Sequence, residues 1–139
     1  MTEAEWNLSF VKQIASSKDA AHELIDSMLL AMNDAGWEGR EYFHVQMALE
    51  EALVNAVTHG NKESPDKVVE VEFKLRDDRV VIRIKDQGAG FRPEDLPDPR
   101  EDERLECTNG RGVMLIREMM TEVTYNDVGN EVTMVKTRG

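Results

Sequence analysis

Four residues apart, Glu51 and Asn55 fall on the same side of any helix that contains both, with Cβ atoms about 6 Å from each other. A carboxylate and a carboxamide so placed can address one ion or one reacting centre. Further on stands Asp86-Gln87-Gly88-Ala89-Gly90, an acid at the end of an alternating apolar run, with two glycines that let a ligand approach the backbone. Gly110-Arg111-Gly112 then precedes a helical pattern, where unpaired N–H groups and the helix dipole favour an anion such as phosphate. Each signal is weak alone. The helix pair reads equally well as a solvated face, and the acid-glycine run as a common turn.

The elements that must position these residues follow from periodicity. Trp6, Leu8 and Phe10 alternate with polar residues, as on an edge strand with one buried face. Ser16 and Ser17 are suitable N-caps for a helix over about 18–33, which Gly36 ends. A second helix is expected over 40–59, stopped by Gly60 as a left-handed C-cap. On it, stepping about 100° per residue puts His44, Glu51, Asn55, Thr58 and His59 in one polar stripe. Val45, Leu49, Ala52, Leu53 and Ala56 form one buried face, and Phe43, Met47 and Val54 a second, so the stripe is partly sunk. Val69 to Leu75 and Val80 to Ile84 alternate around Asp77-Asp78 as a hairpin. Residues 87–109 lose periodicity and collect Pro93, Pro97 and Pro99, which reads as a loop; a helix returns over 110–120, and residues 123–125 and 132–135 close the chain as a hairpin with a five-residue loop. Hairpins dominate the strand connections, so the expected fold is an α+β two-layer sandwich, a mixed and mostly antiparallel sheet with helices on one face.

At 139 residues and 40% hydrophobic content the chain fits one domain, 1–139, with one core. No apolar run approaches the roughly 20 residues that span a bilayer, and the acidic start is unlike a signal peptide, so no membrane is expected and the location is expected to be cytoplasmic. Cys107 is the only cysteine, which excludes an intrachain disulfide and a thiolate metal cluster. The net charge of −11 would repel a phosphate backbone, so no nucleic-acid partner is expected. Any bound nucleotide would need a magnesium ion and backbone N–H groups to carry its phosphates.

Taken in order, three segments resemble the nucleotide-binding signature of the GHKL (histidine kinase-like) ATPase superfamily. They are Glu50-Glu51-Ala52-Leu53-Val54-Asn55-Ala56-Val57-Thr58-His59-Gly60, Asp86-Gln87-Gly88-Ala89-Gly90-Phe91 and Gly110-Arg111-Gly112-Val113-Met114-Leu115-Ile116. The Asn-Ala-x-x-His-Gly ending of the first is similar to its compact branch, the anti-sigma factor serine/threonine protein kinases. The resemblance implies a Bergerat-type ATP-binding fold with a lid over about 92–109, and ATP and Mg2+ as ligands. It implies that Asn55 holds the metal, Asp86 accepts from the adenine amino group, Gly88 and Gly90 line the base, and Gly110 and Gly112 offer N–H groups to the phosphates. Glu51 would be the general base for an attacking hydroxyl. Arg111 would reach the γ-phosphate or face solvent, and Thr133 is the candidate hydroxyl near adenine on the last strand. The implied partners are an anti-anti-sigma (STAS-type) protein, phosphorylated by the kinase, and a sigma factor or similar regulator, sequestered by it; a homodimer is compatible with this. The rival readings are a non-catalytic ATP-dependent binding module and the ATPase half of a split histidine kinase. Ala21-His22-Glu23-Leu24 looks like a phosphoacceptor box only superficially, because the chain is too short for the dimerisation hairpin that such a box needs.

Overall fold

The computed structural model of the chain describes residues 6–62, 64–88, 108–126 and 130–138. The first strand, β1 (Leu8–Ala15), runs five residues past the apolar alternation, because its backbone pairs with the neighbouring strand as far as Ala15↔Val68 even though Lys12 interrupts the pattern. Helix α1 (Lys18–Asp34) starts where Ser17, extended at φ −135, accepts the N–H of Ala20 on its Oγ at 3.1 Å. Helix α2 (Gly39–Asn55) follows, and its chain continues as one π-helical turn, Ala56–Gly60. Strands β2 (Val68–Leu75) and β3 (Arg79–Lys85) form the expected hairpin. Helix α3 (Thr108–Met119) begins two residues earlier than its apolar period suggests, and β4 (Glu122–Tyr125) and β5 (Glu131–Thr137) end the chain.

The strands lie in the order β1-β2-β3-β5-β4, and all four pairings are antiparallel, a stricter arrangement than the mixed sheet expected. β1 is an edge, as its alternation suggests. The register puts Phe73, Ile82 and Met134 side by side on one face, with Val71, Ile84 and Val132 in the next row. These residues, all buried, meet Leu24, Ile25 and Met28 of α1, Leu49 and Leu53 of α2 and Ile116 of α3 in one core. Trp37, fully buried between α1 and α2, donates its indole N–H to the Arg76 carbonyl at 2.8 Å and so ties the helix connection to the β2–β3 turn. The helices therefore cover one face only.

The opposite face is polar and charged. There Arg83 donates to Glu70 at 2.6 Å, Glu72 at 3.0 Å and Glu131 at 2.8 Å. Burial by itself would lower the guanidinium pKa, but the hydrogen bonds it donates to the three carboxylates outweigh this and the net shift is upward. Among the described residues, no helix is long and apolar enough to cross a membrane.

Candidate functional site

α2 carries Glu51 and Asn55 one turn apart, both half-buried, with neither side chain hydrogen-bonded to another described residue. Its inner face, Val45, Ala48, Leu49, Ala52 and Leu53, is held in the core, and that anchorage fixes the direction in which the pair projects. The second apolar face expected beside the stripe is only partial: Met47 and Val54 are half-buried, but Phe43 is 54% exposed. The stripe also stops earlier than expected. At Asn55 the helix widens to a π turn, closed by Asn61 N–H to the Ala56 carbonyl at 2.9 Å, so 100° steps no longer apply. Thr58 instead donates to the Val54 carbonyl at 2.8 Å and His59 faces solvent. His44, at the other end of the stripe, receives Lys136 Nζ on Nδ1 at 3.1 Å. Burial first, and then the charges of Lys136 and Arg40, lower its pKa and favour the neutral acceptor form.

The π turn delivers Gly60 against the end of β3. Gly60 is not the left-handed cap expected; that conformation falls on Lys62, with φ 55. Its glycine is required by contact instead. A Cβ at Gly60 would overlap the Asp86 carboxylate, and a Cβ at Gly88 would overlap the Gly60 carbonyl. Two backbones and one carboxylate thus interlock where any side chain would part them. Asp86 is half-buried there; its Oδ1 accepts the Gly88 N–H at 2.8 Å, and Oδ2 accepts nothing among the described residues. Burial raises its pKa, opposed by the Gly88 hydrogen bond and by the charge of Lys67. A carboxylate oxygen left without a donor in such a place fits a ligand that brings one, such as an exocyclic amine.

The turn is also gripped from both sides. Asp86 donates its N–H to the Asn130 carbonyl at 2.9 Å, and Asn130 Nδ2 donates to the Asp86 carbonyl at 3.1 Å. Asn61 accepts the Gln87 N–H at 2.7 Å. Neither asparagine stands out in the sequence: Asn61 reads as a loop residue after a helix-stopping glycine, and Asn130 as one polar residue of a hairpin loop. Thr133 does not join the group. It pairs across from Arg83 and shares the charged face of the sheet, the side away from the helices, because a period of two puts Val132 and Met134 on the core side. Asn130, three residues earlier, is the β5-side residue that reaches Asp86.

α3 packs against α2 and brings its N-terminus into the same layer. Gly110 is among its first four residues, whose N–H groups have no intrahelical acceptor, and Gly112 lies just past them. Of the Arg111 side chain nothing is described, and Gly90, Cys107 and the expected lid 92–109 lie largely or wholly outside the described residues. Among the described residues no three His, Cys, Asp or Glu side chains gather as a metal cluster. A single-residue contact such as Asn55 would suit a magnesium ion that takes its remaining ligands from phosphate oxygens and water.

A family model described as the histidine kinase-like ATPase domain matches residues 10–136. The chain belongs to that family. Within it, the relatives place the chain in the anti-sigma serine kinase branch. The serine-protein kinase RsbW of Listeria monocytogenes is 30% identical over 109 residues, which is 73% of this chain and 69% of that protein. The RsbW of Staphylococcus epidermidis is 33% identical over 99 residues, 66% of this chain and 62% of that one. A solved structure of the RsbU and RsbW domains of a Mycobacterium tuberculosis protein superposes with a TM-score of 0.63 over 95% of this chain, at 15% identity, and the match takes up 32% of its length. That last likeness speaks for the fold: the histidine kinase-like ATPase domain is the antiparallel sheet with one helical layer described above.

Proposed function

We propose that this histidine kinase-like domain is an ATP-dependent protein serine/threonine kinase that works as a cytoplasmic anti-sigma-type switch. Its substrate would be a seryl or threonyl hydroxyl on a small anti-anti-sigma (STAS-type) protein, and it would sequester a sigma factor or similar regulator. The observation that carries the reading is the conjunction of a half-buried Asp86, seated on Gly60 and Gly88, with Glu51 and Asn55 projecting from the helix that supplies Gly60.

In this reading Asp86 takes the adenine amino group on the oxygen that has no donor among the described residues, and Gly88 and Gly90 leave room for the ring. Gly110 and Gly112, with Arg111 between them, meet the phosphates at the head of α3. Asn55 would hold Mg2+, and the ion would supply positive charge to offset that of the phosphates. The acceptor hydroxyl attacks the γ-phosphorus, the bond to the β–γ bridging oxygen breaks, and Glu51 takes the hydroxyl proton. A retained carboxylate at position 51 favours transfer over a module that only binds ATP.

The test is phosphate incorporation from γ-labelled ATP into a candidate antagonist, with nucleotide binding measured alongside. Acid-stable phosphoserine or phosphothreonine is the expected product. Acid-labile phosphohistidine would assign the chain to a split histidine kinase, and binding without transfer would make it an ATP-gated module.

A further inference from the structure

The β3–β5 ladder ends at Lys85↔Glu131, so the turn that follows has no strand partner to hold it. Apart from one backbone bond, from Asp86 N–H to the Asn130 carbonyl, what holds it is side-chain chemistry, and the most deeply placed part of that is Asn61, which is fully buried. Its Oδ1 accepts the N–H of Gln87, the residue between Asp86 and Gly88, at 2.7 Å. Its Nδ2 donates to Ser16 Oγ at 2.7 Å and to the Val68 carbonyl at 2.9 Å. Ser16, also buried, donates onward to the Lys67 carbonyl at 2.7 Å. The amide cannot turn over in this setting, since its NH2 would then face the Gln87 N–H and its oxygen the Val68 carbonyl. The orientation of the acceptor is therefore imposed from the β1–α1 junction and the start of β2. The backbone of Asn61 is placed just as firmly, because its own N–H closes the π turn that brings up Gly60.

We propose that Asn61 is a positioning residue for nucleotide recognition: by fixing the Gln87 N–H it sets the direction of the Asp86 carboxylate between Gly60 and Gly88. This rests on the reading of Asp86 as the adenine acceptor. Asn61 touches no nucleotide atom; it acts through the turn. The consequence is a division of labour within one buried network. Its bonds to Ser16 and Val68 hold the fold together, and its bond to Gln87 tunes base recognition.

Three variants separate these roles. Asn61→Ala removes the acceptor and is expected to weaken ATP binding about tenfold, the scale of one lost hydrogen bond, and to narrow the preference for ATP over GTP, with turnover at saturating ATP retained. Asn61→Asp keeps an acceptor for the Gln87 N–H but loses the donations, so it should melt earlier yet keep the base preference; it also stands in should the alanine variant not fold. Ser16→Ala should lower the melting temperature and leave ATP affinity within twofold of the parent. Asp86→Asn runs as a reference. If Asp86→Asn weakens ATP binding while Asn61→Ala binds with parental affinity and preference, the positioning role is overturned. It is equally overturned if Ser16→Ala and Asn61→Ala lose affinity in proportion to their melting temperatures. If Asp86→Asn itself binds ATP unchanged, the nucleotide assignment falls and this proposal falls with it.

Discussion

Strand β3 and the residue that follows it present two half-buried charges, and the protein treats them in opposite ways. Arg83, facing away from the helices, meets three carboxylates within 3.0 Å, and its charged form is strengthened. Asp86, at the strand's end, has one backbone N–H for two oxygens among the described residues, and burial works against its charged form. Glu51 and Asn55, projecting from α2, are likewise without partners among the described residues. A charge answered inside the fold does structural work. A polar group left unanswered costs stability, and a fold keeps it where a ligand supplies the missing partner.

That contrast is most sharply tested at Glu51. Glu51→Gln keeps the shape of the side chain but removes its ability to accept a proton, so phosphate transfer should fall by about 10²-fold or more while ATP still binds. Asn55→Ala should lose affinity and transfer together, since it removes the metal contact. Transfer by Glu51→Gln at the parental rate would return Glu51 to the status of a polar residue on a partly buried helix.

The next effect in size is on affinity. Asp86→Asn keeps an oxygen for the Gly88 N–H but replaces a charged acceptor by a neutral amide, and ATP binding measured by titration calorimetry should weaken by about tenfold or more. Arg83→Met should do the reverse, leaving ATP affinity unchanged and destabilising the fold. It abandons three clustered carboxylates on a face where the Arg83 side chain is 22% exposed, at a cost of about 1–3 kcal/mol in chemical denaturation. If Arg83→Met lost ATP binding without losing stability, the assignment of one charge to the fold and the other to a ligand would be wrong.

How much of this was legible beforehand follows the same division. The strands and helices show in the sequence because burial imposes periods of 2 and 3.6, and Ser17 shows as a cap because its chemistry is local. Glu51, Asn55, Asp86 and Gly88 show as candidates because their spacing and glycine content are unusual. What did not show depends on contacts between distant segments. Gly60 looks like a helix stop, and only the approach of Asp86, 26 residues later, reveals that it is a contact glycine. The π turn, which no period in the sequence marks, removes Thr58 and His59 from the stripe that regular steps assign them. Thr133 is a candidate by residue type and strand alone, and one residue of register decides which face of a sheet a side chain occupies. Asn61 and Asn130 are ordinary loop residues until their partners are known.

The smallest effect expected is also the one that most directly compares the two charges, because it is read on stability alone. Burial raises the Asp86 pKa from the ordinary value of 3.8, so the folded state binds the proton more tightly than the unfolded one. Below the unfolded value the carboxyl is protonated in both states, and Asp86 brings no penalty. As pH rises through the folded value, the unfolded chain has already released its proton, the folded chain must ionise a half-buried group, and stability attributable to Asp86 is lost. Asp86→Asn has no such proton to lose. Without ATP it should therefore melt above the parent at pH 7, by a few degrees at most, and the gap should close as pH falls toward 4. Arg83→Met, by contrast, should melt below the parent at pH 7, because the guanidinium it lacks answers carboxylates that are ionised there. Thermal melts of the three proteins from pH 4 to pH 7 measure both trends at once. An Asp86→Asn protein less stable than the parent at pH 7 would mean that the Asp86 carboxylate is satisfied within the fold, and the oxygen assigned to adenine would have to be sought elsewhere.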